Sequence, residues 1–429
     1  MFSMTGDSAT ATKGPSRIAA AAWVLYDLAN TVYAATVTFL FTPYFEARFG
    51  SVTGLGLTQT ASLLLAAVLV PLCGAIVDRT KKTRLYLSIA TLSCIAAMAG
   101  MGLTDERLAI LACFFLANVA YNLGLLFYNS LLPSVSRPER AGLVSGIGVG
   151  VGYVGTILVL VVLLPLGGAP QQFWIAASMF LTAALPCMFL VKDRRTAAAS
   201  RGAASSAFAS IVATVRKLPS RRPLFWFLLA NFCLVDVLNT AILFFASFTK
   251  NAFAASAKNG SLELFGTVFR GDAGLNEFVG VCGLCLNGFA LLFGIALGSL
   301  SDRRPIAIMR VSAIALLAAV LGGVAFGGAW PLGYVISLGV LGSLGLSGLW
   351  TAGRKVVVLL SPPDRIGEHF GLYGITLKLS VAGSTIYALV ADTHGSKAAM
   401  LTQVIPLLLG LFLLSLVQLP RDGDAVRPA

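Results

Sequence analysis

Twelve stretches of this chain are almost free of charge, and each is long enough, at roughly 17 to 25 residues or slightly more, to cross a bilayer as a tilted helix. They fall at about 18–44, 57–77, 85–103, 107–131, 143–165 and 171–191, then at about 223–248, 277–299, 305–327, 330–358, 369–391 and 398–419. Inside lipid no water satisfies backbone N–H and C=O groups, so each stretch must close its own hydrogen bonds as a helix. The fold class that follows is an all-α membrane protein with twelve transmembrane helices. Only 11% of the 429 residues are charged, against about 25% in soluble domains.

The basic residues orient the helices, because cytoplasmic loops retain Lys and Arg. With both termini in the cytoplasm, 22 of the 31 Lys and Arg residues fall on inside segments. These are Lys13, Arg17, Arg79, Lys81, Lys82, Arg84, Arg137, Arg140, eight within 192–222, Arg303, Arg304, Arg310, Arg365, Arg421 and Arg427. Topology therefore accounts for the net charge of +13 without nucleic acid. The first apolar run is long and contains Asp27, so it reads as a retained span rather than a cleaved signal. The cysteines lie inside apolar runs, and Cys282 and Cys285 lack the second pair a metal site needs. His369 and His394 have no partners at ligand spacing. No cofactor or metal is expected.

An Ala-, Ser- and Arg-rich stretch at 192–222 separates two blocks of six spans. The expected organisation is a bundle at 1–191, a cytoplasmic linker at 192–222 and a second bundle at 223–429. The blocks are related: Asp27, Asn30 and Thr31 recur as Asp236, Asn239 and Thr240, 209 positions later (236 minus 27). The i, i+3, i+4 spacing puts each triplet on one helix face. A carboxylate inside a span costs about 2.5–3.5 kcal/mol on insertion scales, so each should face a partner or a water-filled cavity. Gly74 to Asp78 recurs as Gly298 to Asp302, an offset of 224 (302 minus 78). Pro138, Glu139, Arg140 and Gly142 recur as Pro363, Asp364, Arg365 and Gly367, an offset of 225 (367 minus 142). The offset changes across an outside loop expected from Lys250 to Asn276, which carries a glycosylation sequon at Asn259. Two parallel six-helix halves follow, an arrangement built for transport.

The loop after span 2 reads Gly74, Asp78, Arg79, Lys81, Lys82, Arg84, and its copy reads Gly298, Asp302, Arg303, Arg304. It resembles the signature loop of the major facilitator superfamily, with Lys81 where that signature has a second glycine. The resemblance implies a gating role for Gly74, Asp78, Arg79, Lys82, Arg84, Asp302 and Arg303. The run Tyr26, Asp27, Leu28, Ala29, Asn30, Thr31, Val32, Tyr33 is similar to a narrower branch, that of the fungal vacuolar amino-acid effluxers and their bacterial relatives. Tyr128, Asn129, Leu132 and Pro133, the glycines from Gly146 to Gly155, and Glu368, Phe370, Gly371, Tyr373 and Lys378 carry the same resemblance. It implies a cavity between spans 1 and 7, lined by Tyr26, Asp27, Asn30, Thr31, Asp236, Asn239, Thr240, Lys378 and Arg354. Gly150, Gly152 and Gly155 match GxGxxG, but inside an apolar span the glycines serve helix packing rather than a dinucleotide.

No nucleophile with a base and no phosphate-binding loop is present, which argues against an enzyme or an ATP-driven pump. The expected activity is secondary transport of a small polar solute, such as an amino acid, by alternating access. Its partners would be that small-molecule substrate, membrane lipids and a coupling proton on either Asp, in a monomer. The expected location is the plasma or bacterial inner membrane. Competing readings are an exporter of drug-like or lipid-like compounds and a membrane sensor that binds without transporting.

Overall fold

The computed structural model describes residues 16–49, 53–163, 166, 170–193, 216, 222–379 and 382–419. Twelve helices in it are long and apolar enough to cross a membrane: α1 Arg17–Phe49, α2 Gly54–Thr80, α3 Thr83–Gly100, α4 Arg107–Ser130, α5 Pro138–Leu163, α6 Gln171–Leu190, α7 Arg222–Lys258, α8 Gly271–Arg303, α9 Pro305–Phe326, α10 Pro331–Leu360, α11 Ile366–His394 and α12 Ser396–Ser415. α11 has two described segments, Ile366–Leu379 and Ala382–His394. The expected 192–222 linker lies largely outside the described residues.

Large apolar side chains such as Leu57, Val68, Leu243, Ile405 and Phe412 point outward. Tyr33, Tyr128, Tyr334, Tyr373 and Tyr387 are buried. That inversion of soluble-protein patterning suits a lipid surround, where apolar atoms are at no disadvantage outside and polar ones are turned inward. π-helical stretches occur in α1 at Val37–Phe41, at the end of α5 at Val159–Leu163 and in α10 at Ile336–Gly342. All three lie away from the end that carries the basic loops, hereafter the basic end, and such stretches redirect a helix axis.

The expected loop from Lys250 to Asn276 is much shorter. α7 runs on to Lys258 and α8 begins at Gly271, because the Ala-rich turn from Ala252 to Ala257 keeps helix propensity after hydropathy ends. Between them sits an antiparallel hairpin pairing Glu263 with Val268 and Leu264 with Thr267. Its turn uses the left-handed conformation at Phe265 and Gly266.

Within the first half, α1 packs on α5 and α6, and α4 on α2 and α3. In the second, α8 and α9 pack on α10, and α7 on α12. The halves meet where α5 lies against α8 and α10, and where α2 lies against α11. Gly142, Gly146 and Gly150 of α5 make the first seam: a Cβ on Gly146 would stand 2.3 Å from the Gly294 carbonyl oxygen. Gly74 makes the second, where a Cβ would stand 2.3 Å from the Gly367 carbonyl oxygen. Backbones touch directly at both seams, as small residues allow in membrane helices.

Candidate functional site

α1 is a run of Ala, Val and Leu broken by Asp27, which lies ten residues, about 15 Å of helix, from its start at Arg17. α10 brings Arg354 to within six residues, about 9 Å, of its end at Leu360. The two meet across the halves: Arg354 donates to Asp27 Oδ2 at 2.8 Å and to Oδ1 at 3.3 Å, a bidentate pair with both side chains buried. The guanidinium also stands over the rings of Trp23 and Tyr128, 5.8 Å and 5.4 Å from their centroids. Those rings stack at 4.2 Å, and Trp23 Nε1 donates to the Tyr128 carbonyl at 2.9 Å. Aromatic faces and a forked carboxylate are what a desolvated guanidinium needs. The close fit depends on α5, because a Cβ on Gly148 would lie 3.1 Å from Asp27 Oδ2 and 3.0 Å from the Trp23 ring.

The other members of the first cluster divide. Asn30 is buried, and neither atom of its amide has a hydrogen-bond partner. Thr31 donates back to the Asp27 carbonyl at 2.9 Å and packs against Gly152. Tyr26 turns toward α3, where its hydroxyl meets Thr91 at 2.5 Å, and stacks on Tyr128. Asn118 of α4 joins Gln59 and Ser62 of α2 in a separate polar contact.

The second cluster is used differently. Asp236 accepts from the Gly383 amide at 3.0 Å, at the start of the second segment of α11. Asn239 donates to the Leu377 carbonyl at 3.4 Å, at the end of the first segment. Thr240 is buried with its hydroxyl unpaired. Lys378, half-buried, follows Gly367, Gly371 and Gly374 at helical spacing on the face of α11 turned to α2. The position matching Arg354 in the first half, at the offset of 225 (354 minus 129), is Asn129. The repeated acid therefore has a repeated helix but no repeated cation.

At the basic end the halves are clasped twice. Asp78, closing α2, accepts from the amides of Gly367 and Glu368 at 2.8 and 2.7 Å, the first turn of α11. Asp302, closing α8, accepts from the amides of Gly142 and Leu143 at 2.6 and 2.9 Å, the first turn of α5. Free N–H groups and a positive dipole end make a helix start a fitting seat for a carboxylate. Each carboxylate belongs to one half and each helix to the other. Lys355 adds to the second clasp, 3.1 Å from Asp302 and donating to the Pro138 carbonyl. Arg84 stays in its own half, donating to the Phe189 carbonyl at 3.3 Å. Arg79 is half-buried at the end of α2, while Lys82 and Arg303 are exposed.

The Major Facilitator Superfamily model matches residues 24–271, more than half of the chain. The chain belongs to the Major Facilitator Superfamily. An uncharacterized MFS-type transporter of Bacillus subtilis strain 168 is 25% identical over 422 residues, covering 92% of this chain and 94% of that one. An uncharacterized protein of Aquifex aeolicus strain VF5 is 23% identical over 404 residues, covering 91% and 95%. Among solved structures, the human organic anion transporter MFSD10 matches at TM-score 0.66 and 18% identity, covering 93% of this chain and 99% of that one. The transporter FucP in its outward conformation matches at TM-score 0.68 and 13% identity, covering 94% and 98%.

This facilitator is thus an integral, multi-pass membrane transporter with the twelve-helix fold of its superfamily. The superfamily's signature loop explains one backbone oddity. Lys81 stands where the signature has glycine, and it adopts φ +52, the left-handed conformation glycine takes without strain. A β-branched residue fits that conformation worse than lysine, so Lys81→Val is expected to lose about 1–2 kcal/mol. Lys81→Gly should keep the wild-type melting temperature within a few degrees; thermal unfolding in detergent checks both. Gly148→Ala is expected to lose about 1–3 kcal/mol by pushing a methyl into the Asp27–Trp23 contact, read by the same measurement.

Proposed function

We propose that this facilitator moves a small polar solute, an amino acid or a similar metabolite, by alternating access, with Asp27 as carrier of a coupling proton. The observation that carries the reading is the buried Asp27–Arg354 pair, joining the halves behind a doubly clasped end. Scaffolds gain little from a buried ion pair over apolar packing, so a charge pair at a moving seam points to function. The positive-inside rule supports a cytoplasmic clasped end with both termini inside, and a closed cytoplasmic end supports an outward-facing state. Both matched relatives are bacterial, which supports the inner membrane as its location. The similarity to the branch of the vacuolar amino-acid effluxers supports an amino acid as solute. The solved neighbours do not narrow it, since they include a fucose:proton symporter and an organic anion transporter.

Thermal unfolding of the purified protein against amino acids, peptides, sugars and drugs tests the solute, because a ligand that binds the folded state raises its melting temperature. An amino acid should give the largest shift and should then show counterflow in proteoliposomes. A shift given only by lipophilic drugs would overturn the solute class, and binding without counterflow would make the protein a sensor. Asp27→Asn tests the proton: solute movement driven by a proton gradient should be lost, and undiminished gradient-driven movement removes Asp27 from coupling.

A further inference from the structure

Among the described residues, neither Asp27 nor Arg354 meets an opposite charge within its own half. The Asp27 carboxylate accepts both arms of the Arg354 guanidinium, and no other cation reaches it among the described residues. The neutral Tyr128 hydroxyl lies beside it. Both aromatic faces against the guanidinium, Trp23 and Tyr128, also come from the first half. On the second-half side the Tyr373 phenol stands near Arg354, and Asn231, close to Gly353, donates its amide to Thr376. Neither is an acid. Parting the halves at the basic end would thus strand a carboxylate on one side and a guanidinium on the other, and unpaired charges in a low-dielectric seam are strongly disfavoured.

We propose that Arg354 is an exchangeable anion site: Asp27 occupies it in the clasped state, and the carboxylate of the transported solute replaces Asp27 as the halves part. The inference rests on the transport reading and deepens it by assigning the solute's anionic group to Arg354. The released Asp27 carboxylate takes one proton from the water of the cavity, so one anionic group and one proton enter together and each half stays electrically balanced. The ionisable groups facing Asp27 are Arg354 of α10, Tyr121 and Tyr128 of α4, and Tyr153 of α5, with Tyr26 on its own helix and Cys187 of α6 beside Tyr128. Phenols and thiols titrate well above neutrality. Asp27 is the one carboxylate among these groups.

Chemical rescue in the full-length protein tests the site without knowing the solute. Asp27→Ala vacates the space opposite the guanidinium and should melt below wild type. Sodium acetate should raise its melting temperature by several degrees, while acetamide and sodium chloride at equal concentration should not. Asp27→Ala/Arg354→Gln should show no acetate response. If Asp27→Ala does not fold, Asp27→Asn is used, in which acetate must compete with the amide and should give a smaller shift in the same direction. An acetate effect no larger than that of chloride, or equal in the double variant, would overturn the proposal. Because the readout is binding, failed rescue with intact counterflow overturns the anion site alone, and rescue without counterflow overturns the transport reading alone.

Discussion

Replacing Arg354 by glutamine is expected to lower stability by about 3–5 kcal/mol, the range for removing one partner of a buried ion pair, and to abolish transport. Asp27 would be left buried against Trp23 and Tyr128 with no cation to hold it. Asp27→Asn should have a loss of the same sign, since Arg354 would then keep its aromatic faces but lose its carboxylate. The double variant Asp27→Asn/Arg354→Gln separates structure from function. Two amides can hydrogen-bond where the ions stood, so most of the lost stability should return while transport stays absent. Thermal unfolding and proteoliposome counterflow on the four proteins check this, and single variants that melt like wild type would show that the pair contributes nothing.

The clasps should carry the next largest effect. Asp78→Ala removes two charge-assisted hydrogen bonds from the start of α11, and Asp302→Ala removes two from α5 and also deprives Lys355 of its acid. Bonds to an ionised group are worth about 1.5–3 kcal/mol each before water compensates the opened state. A net shift of about 3 kcal/mol would change the closed-to-open ratio at this end roughly a hundredfold. Hydrogen–deuterium exchange at Gly142, Leu143, Gly367 and Glu368 reads it directly. Exchange should quicken at Gly367 and Glu368 in Asp78→Ala and at Gly142 and Leu143 in Asp302→Ala, with the larger change in Asp302→Ala. The second pair of amides should loosen as well if the two halves open as rigid bodies.

The sequence announces the helices plainly, because lipid demands closed hydrogen bonding from every span, and apolarity marks where lipid is. It is silent on the far end of α7, where Ala252 to Ala257 stay helical outside the apolar zone for reasons of propensity. The clusters show the same split. Asp27 stands out by its cost, but its partner lies 327 residues away in the other half, and Arg354 alone reads equally well as an anchor near a span end. Trp23 and Tyr128 look like ordinary core aromatics until a guanidinium is placed between them. The clasps were half legible: Asp78 and Asp302 repeat at an offset of 224, Gly142 and Gly367 at 225. Matching offsets signal related elements, and only the fold shows that each acid reaches the glycine of the other half. Asp236 was least legible, since nothing in the sequence ties it to the Gly383 amide or Asn239 to the Leu377 carbonyl, both on α11.

If the Asp27–Arg354 pair is the working centre of transport, replacing either residue stops solute movement. The most direct test loads proteoliposomes with an isotope-labelled mixture of bacterial metabolites, imposes a proton gradient, and identifies by mass spectrometry what crosses with wild type, Asp27→Asn and Arg354→Gln. The expected result is movement of at least one polar, carboxylate-bearing solute with wild type and with neither variant. Equal movement of that solute by all three folded proteins, or none by wild type, would remove the pair from transport.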